Sequence, residues 1–283
     1  MKRLIAILMV LMLLGAGALA EGLQPLELGA EMSCDLDGDG AVERVSYAMV
    51  QPDGEYDQRL VVTVTPEAGD PVSYETEILW GGSVYLMQLD DGGPTDILAS
   101  GDVMSDDYIT WALRWKDGQL CTMLFPDGGR GDSQYGAYFG YGYGLFKEIG
   151  PNRLTLSGSQ DMLGTWFGSR SYALTPLGYF EFADDGLWTR DIDEITDETW
   201  QYGALTLKTT LPYADLEGNP AGNLSAGEKI LVTATDKQSR VWFTAQDGRT
   251  GTLAISPDYE KGWGWLVNGA SEDDLFEYVP YAD

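Results

Sequence analysis

The segment CDLDGDGAVERVSYAMV, residues 34–50, places carboxylates at loop positions one, three, five and nine: Asp35, Asp37, Asp39 and Glu43. Calcium takes six to eight hard oxygen ligands, and alternating acidic residues around a tight turn can aim several at one ion. Gly38 and Gly40 let the backbone curl without a Cβ clash, and the Ala41 carbonyl stands at position seven. Without a cation, that much like charge in one loop disfavours the folded turn; a divalent ion turns the repulsion into attraction. Calcium held by Asp35, Asp37, Asp39, Ala41 and Glu43 is therefore the leading expectation over a plain Asp/Gly turn.

The loop must be carried by strands. Short runs such as RLVVTVT, SYETEILW, SVYLMQL, ITWALRW and KILVTATD are rich in β-branched and aromatic residues and are bounded by Gly, Asp and Pro. That pattern predicts an all-β protein of antiparallel sheets with no amphipathic helix. Residues 108–115 followed by KDGQLCTMLF predict a hairpin turning at Asp117-Gly118, a pair that accepts positive φ. Fifty-three residues after the acidic loop, MQLDDGGPTDILAS echoes it, with Asp90 under Asp37 and Asp96 under Glu43, while Gln88 and Gly92 replace Asp35 and Asp39. A spacing near fifty suits a blade-like sheet repeat.

An EF-hand would need a bidentate glutamate at position twelve, where Ser46 stands inside a strand-like run. The nine-position loop between two strands instead resembles the calcium loops of FG-GAP and related β-propeller-like repeats, which implies a propeller-like N-terminal domain. Farther on, Gly227 precedes a valine-rich strand, Val241-Trp242-Phe243 supply an aromatic pair, and Gly248 and Gly251 flank a hairpin. This order resembles a bacterial SH3-like domain over residues 205–283, although Thr252-Leu253 replaces the usual aromatic and residues 256–279 lengthen the end of the domain. The resemblance implies an SH3-like barrel that binds peptidoglycan or another wall component. The expected division is a signal peptide at 1–20, a β-rich domain at 21–195 and the SH3-like domain at 196–283, with the acidic stretch 191–203 read as linker or first strand.

Composition prunes the chemistry. There is no histidine, which removes imidazole-based serine and cysteine hydrolases and the usual catalytic zinc sites. The net charge of -28 argues against nucleic acid and anionic lipid as partners. Lys2-Arg3, an apolar run and Ala18-Leu19-Ala20 have the pattern of a secretory signal cleaved after Ala20, so a secreted, extracellular or wall-associated chain without membrane insertion is expected. An oxidising destination and an even cysteine count favour a Cys34–Cys121 disulfide over two buried thiols.

The remaining motifs are weaker. Asp106-Asp107 reads as a polar turn before a strand rather than a carboxylate dyad. Arg130-Gly131-Asp132 is a chance tripeptide far more often than an integrin signal. The aromatic–glycine run 135–146 reads as a packed strand rather than a sugar platform. Trp242, Trp263 and Trp265 are the candidate binding aromatics. No catalytic residue is assigned: a secreted, calcium-stabilised, non-enzymatic protein that associates with wall or glycan is the leading reading, and a carboxylate-dependent glycan hydrolase the alternative.

Overall fold

The computed structural model describes residues 22–53, 58–104, 107–126, 141–262 and 264–281. Among them the protein is all-β, with several antiparallel sheets, none closed, and two short helices. No helix among the described residues is long and apolar enough to cross a membrane. The chain divides into two compact units, Met1–Leu156 with Ser171–Ala183, and Ser157–Arg170 with Asp184–Asp283.

The first unit opens with β1 (Gln24–Leu26), β2 (Glu31–Cys34), β3 (Glu43–Val50), β4 (Gln58–Thr65), β5 (Val72–Ile78), β6 (Trp80–Met87), β7 (Asp96–Met104), β8 (Asp107–Lys116) and β9 (Gln119–Thr122). Strands β2 to β5 pair in sequence order as one antiparallel meander. A second meander runs from β6 to β9, with β1 added beside β6 and Gly142–Tyr143 beside β8. The predicted hairpin forms: Lys116 faces Gln119 across a turn in which Asp117 and Gly118 both have positive φ.

Alternation decides which face is buried. Val45 and Tyr47 of β3 and Leu60, Val62 and Val64 of β4 pack with Val84, Leu86, Ile97, Ala99, Trp111 and Leu113 from the second sheet in one core. Burying each such Val or Leu side chain contributes roughly 1.5–3 kcal/mol. The opposite face of the first sheet is polar: Thr63 and Ser73 share a hydrogen bond, and Arg59 pairs with Glu75. In the second sheet Leu98 and Ala112, which alternate with the core residues, are also fully buried, so both of its faces are covered. The described part of the aromatic–glycine run is packed as expected: Tyr143 is buried, and a Cβ on Gly142 would meet Leu156 at 2.6 Å.

The sequence echo has a structural counterpart. The acidic loop joins β2 to β3, and its echo joins β6 to β7. Leu36 and Leu89 occupy matching positions and both are fully buried. The Leu36 carbonyl accepts from Thr95 N–H at 2.8 Å and the Leu89 carbonyl from Asn152 N–H at 2.6 Å. Each loop is thus tied to the residue that introduces a strand farther along, Thr95 before β7 and Asn152 before Arg153–Gln160.

In the second unit, Lys229–Thr235, Arg240–Ala245 and Thr250–Pro257 form a meander, and the hairpin of Leu211–Ala214 with Pro220–Leu224 joins it through Ala214 opposite Thr252. Gly251 is required by close approach, since a Cβ there would lie 2.5 Å from the Ala214 carbonyl oxygen. The core includes Leu211, Leu224, Val232, Val241, Phe243 and Leu253, with Tyr213 edge-on to Phe243.

Two expectations are corrected. Residues 197–202 form a helix rather than linker or strand, because Thr196 and Thr199 make a reciprocal capping box that closes its first turn. Cys34 and Cys121 are both free thiols, one half-buried on β2 in the first sheet and the other exposed on β9 in the second.

The turn from Thr235 to Arg240 is organised by Asp236, whose carboxylate accepts from the N–H groups of Gln238, Ser239 and Arg240 and from the Ser239 hydroxyl. Burial pushes this carboxyl up, but those bonds outweigh it and hold it below its ordinary value. Its stabilisation is therefore present above the unfolded aspartate value, about 3.9, and is lost as pH falls through the lower folded value. Asp236→Ala should cost about 1–3 kcal/mol at neutral pH, and denaturant melts at stepped pH should show the gap from wild type closing in acid.

Candidate metal centre

Asp35, Asp37 and Asp39 each present a carboxylate oxygen within 4.8 Å of the others. Oxygens sharing one calcium at 2.3–2.6 Å lie no more than about 5.2 Å apart, so this spacing is compatible with a common ion. The turn that gathers them is held by the same carboxylates. Asp35 accepts from Gly38 N–H at 2.7 Å and Gly40 N–H at 2.9 Å, and Asp39 accepts from Ala41 N–H at 2.7 Å. Both glycines adopt positive φ, where a side chain would be strained. An ionised carboxylate offers about four lone-pair sites, so these bonds leave acceptor capacity for a cation.

Glu43 stands apart from that trio. It is buried at the start of β3, and its carboxylate accepts from Leu36 N–H at 2.8 Å, closing the loop from beneath. Ala41 is half-buried and its N–H is the donor to Asp39. Cys34, opposite Glu43 across β2 and β3, has its thiol pushed up to about 11 by burial and then by the charges of Glu43 and Asp35. Its side chain packs against the core of the first unit.

The echo loop repeats this plan with one substitution that sequence reasoning missed. The Asp96 carboxylate accepts from Leu89 N–H as Glu43 does from Leu36. Arg114, opposite Asp96 across β7 and β8, donates Nε to Asp96 at 2.7 Å and Nη2 to both Asp96 and Asp90 at 2.9 Å. A guanidinium thus sits between the two carboxylates that align with Asp37 and Glu43. The available signal was an arginine inside the apolar strand ITWALRW, which needs a partner to be tolerated. Burial pushes Asp96 above its ordinary value, with the Arg114 hydrogen bond and charge opposing; the bond to Asp96 leads the causes that push Arg114 upward.

The other candidates are scattered. Asp107 accepts from the Tyr143 hydroxyl at 2.5 Å, a structural tether, while Asp106 and residues 130–132 lie outside the described residues. Trp242 is half-buried; Trp265 is half-buried and donates its indole N–H to the Asp161 carbonyl at 2.7 Å; Trp263 lies outside the described residues. No protein-family model, curated protein or solved structure matches the chain.

Arg114→Met should strand Asp96 as an unpaired buried charge and cost about 3–5 kcal/mol at neutral pH. Protonating Asp96 relieves that cost, so the deficit should shrink as pH falls, and adding Asp96→Asn should recover part of it at pH 7; urea melts of the wild type and the two variants give the comparison.

Proposed function

We propose that the protein is an exported, non-enzymatic binding protein. Its first unit would be a propeller-like sheet-repeat body stabilised by calcium, and its second an SH3-like module that associates with cell wall or glycan. The observation that carries the calcium reading is the contrast between the two matching loops. One surrounds a guanidinium with Asp90 and Asp96, while the other gathers Asp35, Asp37 and Asp39 with no arginine or lysine paired to them among the described residues. Strand β4 carries Thr65 opposite Arg44, one residue from Glu43, in the region where β8 carries Arg114. A divalent cation from solution would supply the first loop with the charge that the second builds in.

The successive meanders and the repeated leucine ties support a sheet-repeat reading of the first unit. For the second, support comes from the strands over KILVTATD and RVWFTA and from the close approach at Gly251. Trp242 and Trp265 leave part of each indole at the surface, where a sugar ring could stack. Export rests on residues 1–20, which lie outside the described residues. Wall attachment with calcium as a bridge to anionic polymers follows from the acidity of the chain and the SH3-like resemblance.

Calorimetric titration tests the central point. Calcium should bind the full chain, and at about a hundred times its Kd it should add ~2.7 kcal/mol and raise the melting temperature by roughly 5–10 °C. Asp37→Ala should abolish both effects. Identical melting in chelator and in millimolar calcium would overturn the metal reading.

A further inference from the structure

A cleft of about 410 Å³ opens in the first unit beside the acidic loop, with Asp37 at one side and the turn Pro176–Gly178 at another. Its size lies within the range of small-ligand sites. Arg114 forms part of its lining with one edge of its guanidinium fixed by Asp96 and Asp90. The remaining nitrogen, Nη1, has no acceptor among the described residues. A Cβ on Gly178 would lie 3.6 Å from Nη1, so the turn at Gly178 runs beside that nitrogen, and the Arg114 side chain is 19% exposed. Lys116 also lines the cleft and makes no ion pair among the described residues. Leu177, 82% exposed, and Pro176 supply an apolar wall.

Local charge indicates what such a cleft would hold. Two carboxylates already outnumber Arg114, and Asp37 offsets Lys116, so the site carries no excess positive charge with which to attract an anion. Its donors suit neutral oxygens, and Asp37, which accepts from Asp39 N–H at 3.3 Å, keeps further lone pairs for a donor. A hydroxyl does both. A ring that carries hydroxyls around its rim and C–H groups on its face matches the wall as well.

We propose that this cleft binds a neutral saccharide, with Arg114 Nη1 and Lys116 Nζ donating to its oxygens, Asp37 accepting from a hydroxyl, and Leu177 packed against a ring face. The site is distinct from the wall contacts assigned to the second unit but shares Asp37 with the proposed calcium loop, so a bound ion would compete for that carboxylate and the sugar is offered to the calcium-free chain.

The test titrates the full chain, in chelator, with the tetrasaccharides of N-acetylglucosamine and of glucose, following heat and the intrinsic tryptophan fluorescence, to which Trp115 in the cleft contributes. At least one sugar should bind, and Lys116→Ala and Leu177→Asp should each weaken it about tenfold, as expected for loss of a charge-assisted bond or an apolar contact. Both changes are at the surface, and unaltered melting curves will show that the fold is intact. The proposal is overturned if neither sugar binds at about 10 mM, if both variants bind like wild type, or if only polygalacturonate, an anionic polymer, is retained.

Discussion

The first unit depends on how two buried leucine carbonyls are satisfied. Leu36 and Leu89 lie where a loop turns under a sheet, and a buried backbone oxygen without a donor would cost free energy comparable to a lost hydrogen bond. Each accepts from the residue that introduces a later strand, Thr95 or Asn152, and each N–H is taken by a carboxylate, Glu43 or Asp96. Backbone polarity therefore fixes the register between successive meanders, while the apolar side chains supply the energy.

Placing a carboxylate beneath each loop raises a problem of charge. In the second loop Asp96 is fully buried and stays tolerable because Arg114 reaches it across two strands and also holds Asp90. In the first, Glu43 faces Leu36 N–H and the neighbouring aspartates use their own turn amides as donors. Amide donors satisfy lone pairs but do not cancel charge. One fold thus carries two electrostatic solutions at matching positions: the second loop has lost two of the aspartates, at Gln88 and Gly92, and has gained Arg114 from the neighbouring strand.

Much of this was legible. Alternation in RLVVTVT and SVYLMQL marked strands, and Asp117-Gly118 marked its hairpin, because the period-two pleat and positive φ leave direct signatures in residue type. The echo of the acidic loop was visible through Asp90 and Asp96. The 197–202 helix was hidden because its stabilising cap is a Thr–Thr pair, outside the usual glutamate-containing box, within an otherwise acidic stretch. The cysteines misled because an even count says nothing about distance.

By itself, the sequence determined the all-β class, the turn positions and the clustering of Asp35, Asp37 and Asp39, all of which arise from interactions between residues near one another along the chain. Only the tertiary structure decided that Glu43 closes the loop from beneath, that Arg114 stands between Asp90 and Asp96, and that Cys34 and Cys121 remain unpaired. Glu43 reaches Leu36 within the β2–β3 hairpin and Arg114 reaches Asp96 across the paired β7 and β8, whereas the two cysteines fall in different sheets. The choice of strand neighbours is made by burying apolar faces across the whole unit, and it leaves no short-range mark in the order of residues.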